Sequence, residues 1–183
     1  MFAVPGAERT FASLRIEAAA GRLVAQADVD ALVIEAGPLL ERGAGPSADV
    51  HDAAGPELAA EARPLAPVPA GRAVRTAGYL LANRFVVHAV CPIFDRRDRN
   101  AELLASTHRA ALSEADAAGA RSLALPALCI GPYGYPAPRA AAIAVGAVLE
   151  AAPSLNSLQR VRFVLDDDAC LEAYAAELRD VEA

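Results

Sequence analysis

Two short loops carry the residue types that chemistry would need. Cys129-Ile130-Gly131-Pro132-Tyr133-Gly134 follows an apolar run, Ser122 to Leu128, and precedes a helix-forming segment that opens on Pro136 and Pro138. A glycine loop between a buried strand and a helix N-terminus directs backbone N–H groups at one point, which suits an anion such as phosphate. Gly43-Ala44-Gly45-Pro46-Ser47 stands in the same relation to a second helical stretch. Glu35 lies two residues before Gly37, so in a strand both face the same way. Glu35, with Asp49 and Asp52 beyond the second loop, supplies carboxylates for proton transfer or for accepting hydrogen bonds from hydroxyls. Cys129, beside a helix start, has the setting of an activated thiolate. Each residue also has a plain structural reading. The loop is a strand-to-helix connection, Glu35 a strand-end residue meeting solvent, Ser47, Asp49 and Asp52 the dressing of a helix start, and Cys129 a small buried residue.

The elements that would position these residues alternate along the chain. Strand patterns fall at Ser13 to Ala18, with Arg22 to Ala25 as a partner across Gly21, then at Asp30 to Ile34, Arg72 to Thr76, Phe85 to Cys91, in the first part of the stretch from Ser122 to Pro136, and at Val161 to Leu165. Helical patterns fall at Ala48 to Arg63, interrupted at Gly55-Pro56, at Ala101 to Ala118 behind an Asn100 cap, at Arg139 to Ala152, and from Asp167 or Asp168 to near Asp180. Residues 1–10 read as a loose leader. This alternation predicts an α/β protein with helices on both faces of a mostly parallel or mixed sheet, residues 1–183 forming one domain.

Composition narrows the function. The net charge is −6, which argues against general nucleic-acid binding. All 17 basic residues are arginine, so lysine Schiff bases and a Walker-type lysine are excluded. No apolar run reaches the ~20 residues of a membrane span, and the first residues lack the pattern of a signal peptide. Cys91, Cys129 and Cys170 are odd in number and widely spaced, which predicts buried thiols in a reducing compartment and a cytoplasmic protein. His51 and His88 read as core residues satisfied by hydrogen bonds, and His108 as a surface residue. No spacing suggests a metal site, and no cofactor is expected.

Several fragments then fall into one register. Asp30-Ala31-Leu32-Val33, His51-Asp52-Ala53-Ala54-Gly55-Pro56, Thr76-Ala77-Gly78-Tyr79, Val86 to Phe94 and Gly131-Pro132-Tyr133-Gly134-Tyr135-Pro136 together resemble the macrodomain family, from about residue 14 to about residue 178. The resemblance implies a three-layer α/β/α sandwich with a mixed central sheet. Its members bind ADP-ribose in a cleft at the strand ends, and some hydrolyse ADP-ribosyl bonds or remove phosphate from ADP-ribose-1''-phosphate. The diphosphate loops align with Leu40 to Ser47 and Cys129 to Tyr135. The ligand-binding positions so implied are Gly37, Gly43, Gly45, Cys129, Ile130, Gly131, Tyr133, Gly134 and Asp166.

The departures fall on ligand residues. The family's adenine-binding aspartate aligns with Leu23, its stacking aromatic with Asp166, its ribose-contacting and catalytic asparagine with Gly37, and its water-activating carboxylate with Ser47. Pro46 and Pro132 stand where the family prefers valine, and neither has an N–H. The expectation is a remodelled cleft that takes a nucleotide or ADP-ribose derivative weakly or differently, without hydrolysis by the usual route. Two alternatives stay open. One is an ADP-ribosyl hydrolase using Glu35 or Asp49 as a substitute carboxylate; the other is a non-catalytic interaction scaffold, with a homo-oligomer among its forms.

Overall fold

The computed structural model describes residues 6–97 and 99–181. Five strands run parallel through the centre of a seven-stranded sheet: β2 (Leu14–Ala20), β7 (Arg160–Leu165), β6 (Ser122–Leu125), β3 (Ala31–Ala36) and β5 (Phe85–Val90). β1 (Ala7–Phe11) and β4 (Ala73–Ala77) close the two edges antiparallel, giving the order β1-β2-β7-β6-β3-β5-β4. Ala31 to Ile34, Val86 with Val87, and Leu123 to Leu125 are apolar and buried at every position because both faces of the sheet are covered there. Leu32 and Ile34 pack with Val50, Ala54 and Leu58 from α1 (Gly45–Ala54) and α2 (Pro56–Ala62). Ala31 and Val33 point the other way, into a core shared with α3 (Ala101–Ala117), α4 (Ala137–Ala151) and α5 (Asp168–Arg179). This is the expected mixed α/β/α sandwich. No helix among the described residues is long and apolar enough to cross a membrane.

Local chemistry explains most boundaries. α1 and α2 part at Gly55, whose φ of 88° lies in the left-handed region, and Pro56 then starts α2, where its missing N–H costs nothing. Asp167 caps α5, its Oδ1 accepting the Cys170 N–H at 2.8 Å. Asn100 precedes α3 as expected, but its amide donates to the Ile93 carbonyl and not to the helix.

Four expectations need correction. Residues 7–10 of the expected leader belong to β1, an edge strand paired with β2 through a hairpin at Ala12 and Ser13, while residues 1–5 lie outside the described residues. Arg22 to Ala25 is not a strand: the chain leaves β2 after Gly21, whose N–H donates to the Leu165 carbonyl, and Leu23–Ala25 then forms a 3-10 turn. His108 is buried on the inner face of α3, its Nδ1 donating to the Leu104 carbonyl at 2.9 Å. Cys91 and Cys129 form a disulfide, so only Cys170 is a buried free thiol, and the inference to a reducing compartment loses its basis. His51 and His88 are core residues, with rings edge-to-face at 5.8 Å. His88 Nε2 bonds Thr76 Oγ1 at 3.0 Å, whereas His51 Nε2 and His88 Nδ1 have no partner among the described residues, so the expected satisfaction is partial.

The 3-10 turn and the loop after it are held by Asn83, whose buried amide donates to the Gln26 and Val29 carbonyls, both at 2.8 Å. Asn83→Ala strands both carbonyls and is expected to cost about 2 kcal/mol, read from urea unfolding.

Candidate functional site

The carboxyl ends of β3, β6 and β7 open into a cleft of ≈ 280 Å³ walled by both glycine loops. Ligands of open α/β sheets bind in such a position, because helix N-termini and loop amides converge there. One wall is Ala44 to Ser47, the start of α1; the other is Ile130 to Pro132 with Pro126 and Ala127; Asp166, Asp167 and Cys170 close the end.

Glu35, at the end of β3, reaches into this space. Its Oε2 accepts the Cys129 N–H at 3.0 Å across 94 residues of sequence. Burial raises the Glu35 pKa above the usual carboxylate range, and the bond from Cys129 offsets part of the rise. Gly37 lies one residue beyond β3, where an added Cβ would come no nearer than 3.9 Å to the Tyr133 hydroxyl. Tyr133 is half-buried, and its hydroxyl pKa is raised by burial and by the charge of Glu35.

The second loop is tightly built. Gly134 donates to the Ile130 and Gly131 carbonyls at 3.0 and 3.1 Å, and Tyr135 N–H donates to Cys129 O at 3.1 Å. Cys129 itself sits at a φ of 67°, a left-handed conformation rare for a residue with a Cβ, and is pinned by its bond to Cys91. Tyr135 packs edge-on against Phe94 at 5.0 Å, tying the loop to the chain beyond β5. Among the first-loop residues, Gly43 and Gly45 hold φ values of 67° and 55°, and Ser47 is buried with its Oγ donating to the Arg42 carbonyl at 3.0 Å. Ser47 therefore acts on its own loop. Pro46 occupies the first turn of α1 without an N–H.

The sequence candidates thus divide. Glu35, Gly45, Ile130, Gly131 and Asp166 line the cleft, and Cys129, fully buried, reaches it only through the bond from its amide to Glu35. Gly43 shapes the first loop and Gly134 the second. Asp49 lies outside the cleft, paired with Arg22 at 2.9 Å beside a smaller recess of ≈ 120 Å³ lined by Gly21, Leu23, Val164 and Asp166. Asp52 is turned to Arg42 at 2.5 Å. Leu23 is a core residue in one cluster with Leu32 and Ile34, and with Arg22 it also lines the smaller recess. Cys129 has no free thiol, which removes it as a nucleophile.

Sequence reasoning missed the disulfide, the Arg22–Asp49 pair, and the placing of Asp167 and Cys170 at the cleft end. The Cys170 thiol is inert, its pKa pushed up to about 12 by burial and by Asp167. Cleft-lining side chains supply three carboxylates, Glu35, Asp166 and Asp167, and no arginine. Among the described residues no group of three His, Cys, Asp or Glu is arranged to hold a metal ion.

A parallel-centred α/β/α sandwich with a glycine-loop cleft at its strand ends is the architecture of a nucleotide-type binding domain. The sequence model of the Macro domain family matches residues 33–144, and the chain belongs to that family. A macro domain-containing protein of Streptomyces coelicolor is 38% identical over 161 residues, covering 85% of this chain and 94% of its own. A Klebsiella pneumoniae protein named O-acetyl-ADP-ribose deacetylase is 38% identical over 152 residues, covering 80% and 87%. Among solved structures, the Oceanobacillus iheyensis macrodomain with ADP superposes with a TM-score of 0.88 at 28% identity, covering 96% of this chain and 95% of that one.

Proposed function

We propose that this macrodomain binds ADP-ribose or a related nucleotide in the Glu35 cleft, weakly compared with an intact family site, and does not hydrolyse ADP-ribosyl bonds by the family's usual route. Support for binding comes from the fold, the two glycine loops and the relatives whose names or structures carry ADP or O-acetyl-ADP-ribose. The observation that carries the second half is the state of the two positions aligned with the family's catalytic residues. Gly37 has no side chain, and the Ser47 hydroxyl is committed to the Arg42 carbonyl. Pro46 and Pro132 remove two N–H donors, and each charge-assisted bond is worth roughly 1.5–3 kcal/mol. Calorimetric titration with ADP-ribose is expected to give a dissociation constant weaker than about 100 μM, near −5.5 kcal/mol. A low-micromolar value overturns the reading of a weakened cleft.

A second reading is favoured by one observation: Glu35 is a cleft carboxylate with an elevated pKa, the condition of a general acid. If it serves hydrolysis, de-ADP-ribosylation of a modified protein proceeds measurably and Glu35→Gln abolishes it. Asp49 is the weaker substitute, since Arg22 holds it outside the cleft.

A further inference from the structure

The bond between Cys91 and Cys129 joins the second glycine loop to the end of β5. Cys91 is fixed to the sheet, its N–H donating to the Ala36 carbonyl at 3.2 Å. Cys129 holds a φ of 67°, which a residue with a Cβ keeps only where its surroundings impose it. Those surroundings are the bridge itself, the Tyr135 N–H on the Cys129 carbonyl at 3.1 Å, and the Glu35 carboxylate on the Cys129 N–H at 3.0 Å. Ile130, Gly131 and Pro132 come next and wall the cleft. The N–H groups of Ile130 and Gly131 donate to none of the described residues, so they are open to an anion. The far end of the loop has ties of its own. Phe94 N–H donates to the Tyr133 carbonyl at 2.7 Å, and the Phe94 and Tyr135 rings pack edge-on. Opening the bridge therefore releases the Cys129 end of the loop while Tyr133 to Tyr135 stay anchored.

We infer that the Cys91–Cys129 bridge is a redox switch on the cleft: bridged protein holds the second loop ready for the diphosphate of a nucleotide, and reduced protein binds the same ligand more weakly. The physical cause is pre-organisation. With the bridge closed, the Ile130 and Gly131 amides are already ordered by folding; with it open, Cys129 can leave the left-handed region and the ordering must accompany binding. Opening takes two electrons from a dithiol. One thiolate of the reductant attacks a sulfur of the bridge, forming a mixed disulfide and releasing the other cysteine. The second thiol of the reductant then displaces the first, leaving a cyclic disulfide and both cysteines as thiols. Cys91 and Cys129 are 4% and 0% exposed, so exchange requires displacement of the loop, whose Gly131, Pro132 and Gly134 lie at the surface. A ligand seated on the loop opposes that displacement. The inference rests on the proposed nucleotide-binding role and adds the regulation of that site.

The test is calorimetric titration of ADP-ribose into bridged protein, into protein reduced with dithiothreitol under native conditions, and into Cys91→Ser. Alkylation after denaturation counts the thiols, one in the bridged protein and three in the reduced. Reduced protein and Cys91→Ser are each expected to bind about tenfold more weakly than bridged protein, and reoxidation to restore the affinity. By linkage, saturating ADP-ribose is expected to shift the bridged-to-reduced ratio about tenfold toward the bridge in a buffer of oxidised and reduced dithiothreitol. Equal affinities in the two states overturn the inference, as does a bridge that dithiothreitol leaves closed in the folded protein. Should Cys91→Ser fail to fold, the reduced wild type and the linked ratio decide. If ADP-ribose binds neither state, the nucleotide-binding role falls together with this inference, whereas equal and measurable binding removes the inference alone.

Discussion

Between pH 6.5 and pH 4 the protein is expected to lose about 6 kcal/mol of folding stability, because two imidazoles are held neutral inside it. Burial lowers the pKa of His88 and of His108 from 6.5 to about 4. For His88, repulsion from His51 adds to the effect; for His108, the Leu104 carbonyl opposes it and is outweighed. In the unfolded chain both groups protonate near 6.5, so between 6.5 and 4 the unfolded state binds more protons than the folded one. Stability therefore rises with pH across that window, is fully present above it, and is lost as pH falls through it, at roughly 3 kcal/mol for each imidazole. Carboxylates add their own loss lower down. Burial works against the charge of Asp116, but the N–H groups of Leu158, Ser157 and Asn156 outweigh it and hold its pKa below 3.8, so its contribution disappears only as pH falls below the imidazole window. Urea unfolding at pH 7 and pH 4.5 measures the effect. His108→Gln is expected to remove about half of the imidazole-dependent loss; an unchanged midpoint between the two pH values contradicts the buried neutral assignment.

Breaking the Cys91–Cys129 bond is the second large perturbation. The two cysteines are 38 residues apart, and opening a loop of that length releases chain entropy worth about 4 kcal/mol in the unfolded state. For a chain of this size that lowers the melting temperature by roughly 10 °C. Cys91→Ala with Cys129→Ala reports the same loss without relying on a reductant reaching two buried sulfurs. Titration of denatured, unreduced protein is expected to find one thiol, that of Cys170, and after reduction all three. Three thiols before reduction overturn the disulfide. The double substitution also frees the second loop to lose its fixed Cys129 amide, so nucleotide affinity is expected to change with stability.

The contrast between Asn83 and His108 shows where sequence reasoning reaches and where it stops. His108 belongs to the set Leu104, Thr107, His108, Ala111, Leu112 and Ala115, whose spacing marks one face of a helix. Its burial was legible from that period, and the polar side chain concealed it. The amide bonds of Asn83 to Gln26 and Val29 span more than fifty residues and leave no local trace. The Arg22–Asp49 pair is equally opaque, since 27 residues separate its partners and no local pattern links them.

The sequence by itself determined the central strands, the helices, the family and the two glycine loops, though not β1 or the 3-10 turn at Leu23–Ala25, because strand and helix periods, Gly and Pro are local constraints that read directly from neighbouring residues. The tertiary structure alone decided the cysteine pairing and the partner of Glu35. Strand order sets β6 and β5 on either side of β3, so Cys129, in the loop after β6, and Cys91, directly after β5, meet at the carboxyl ends of the central strands beside Glu35. Chain order places those three residues far apart, and only the sheet brings a disulfide, an amide and a carboxylate to a single point.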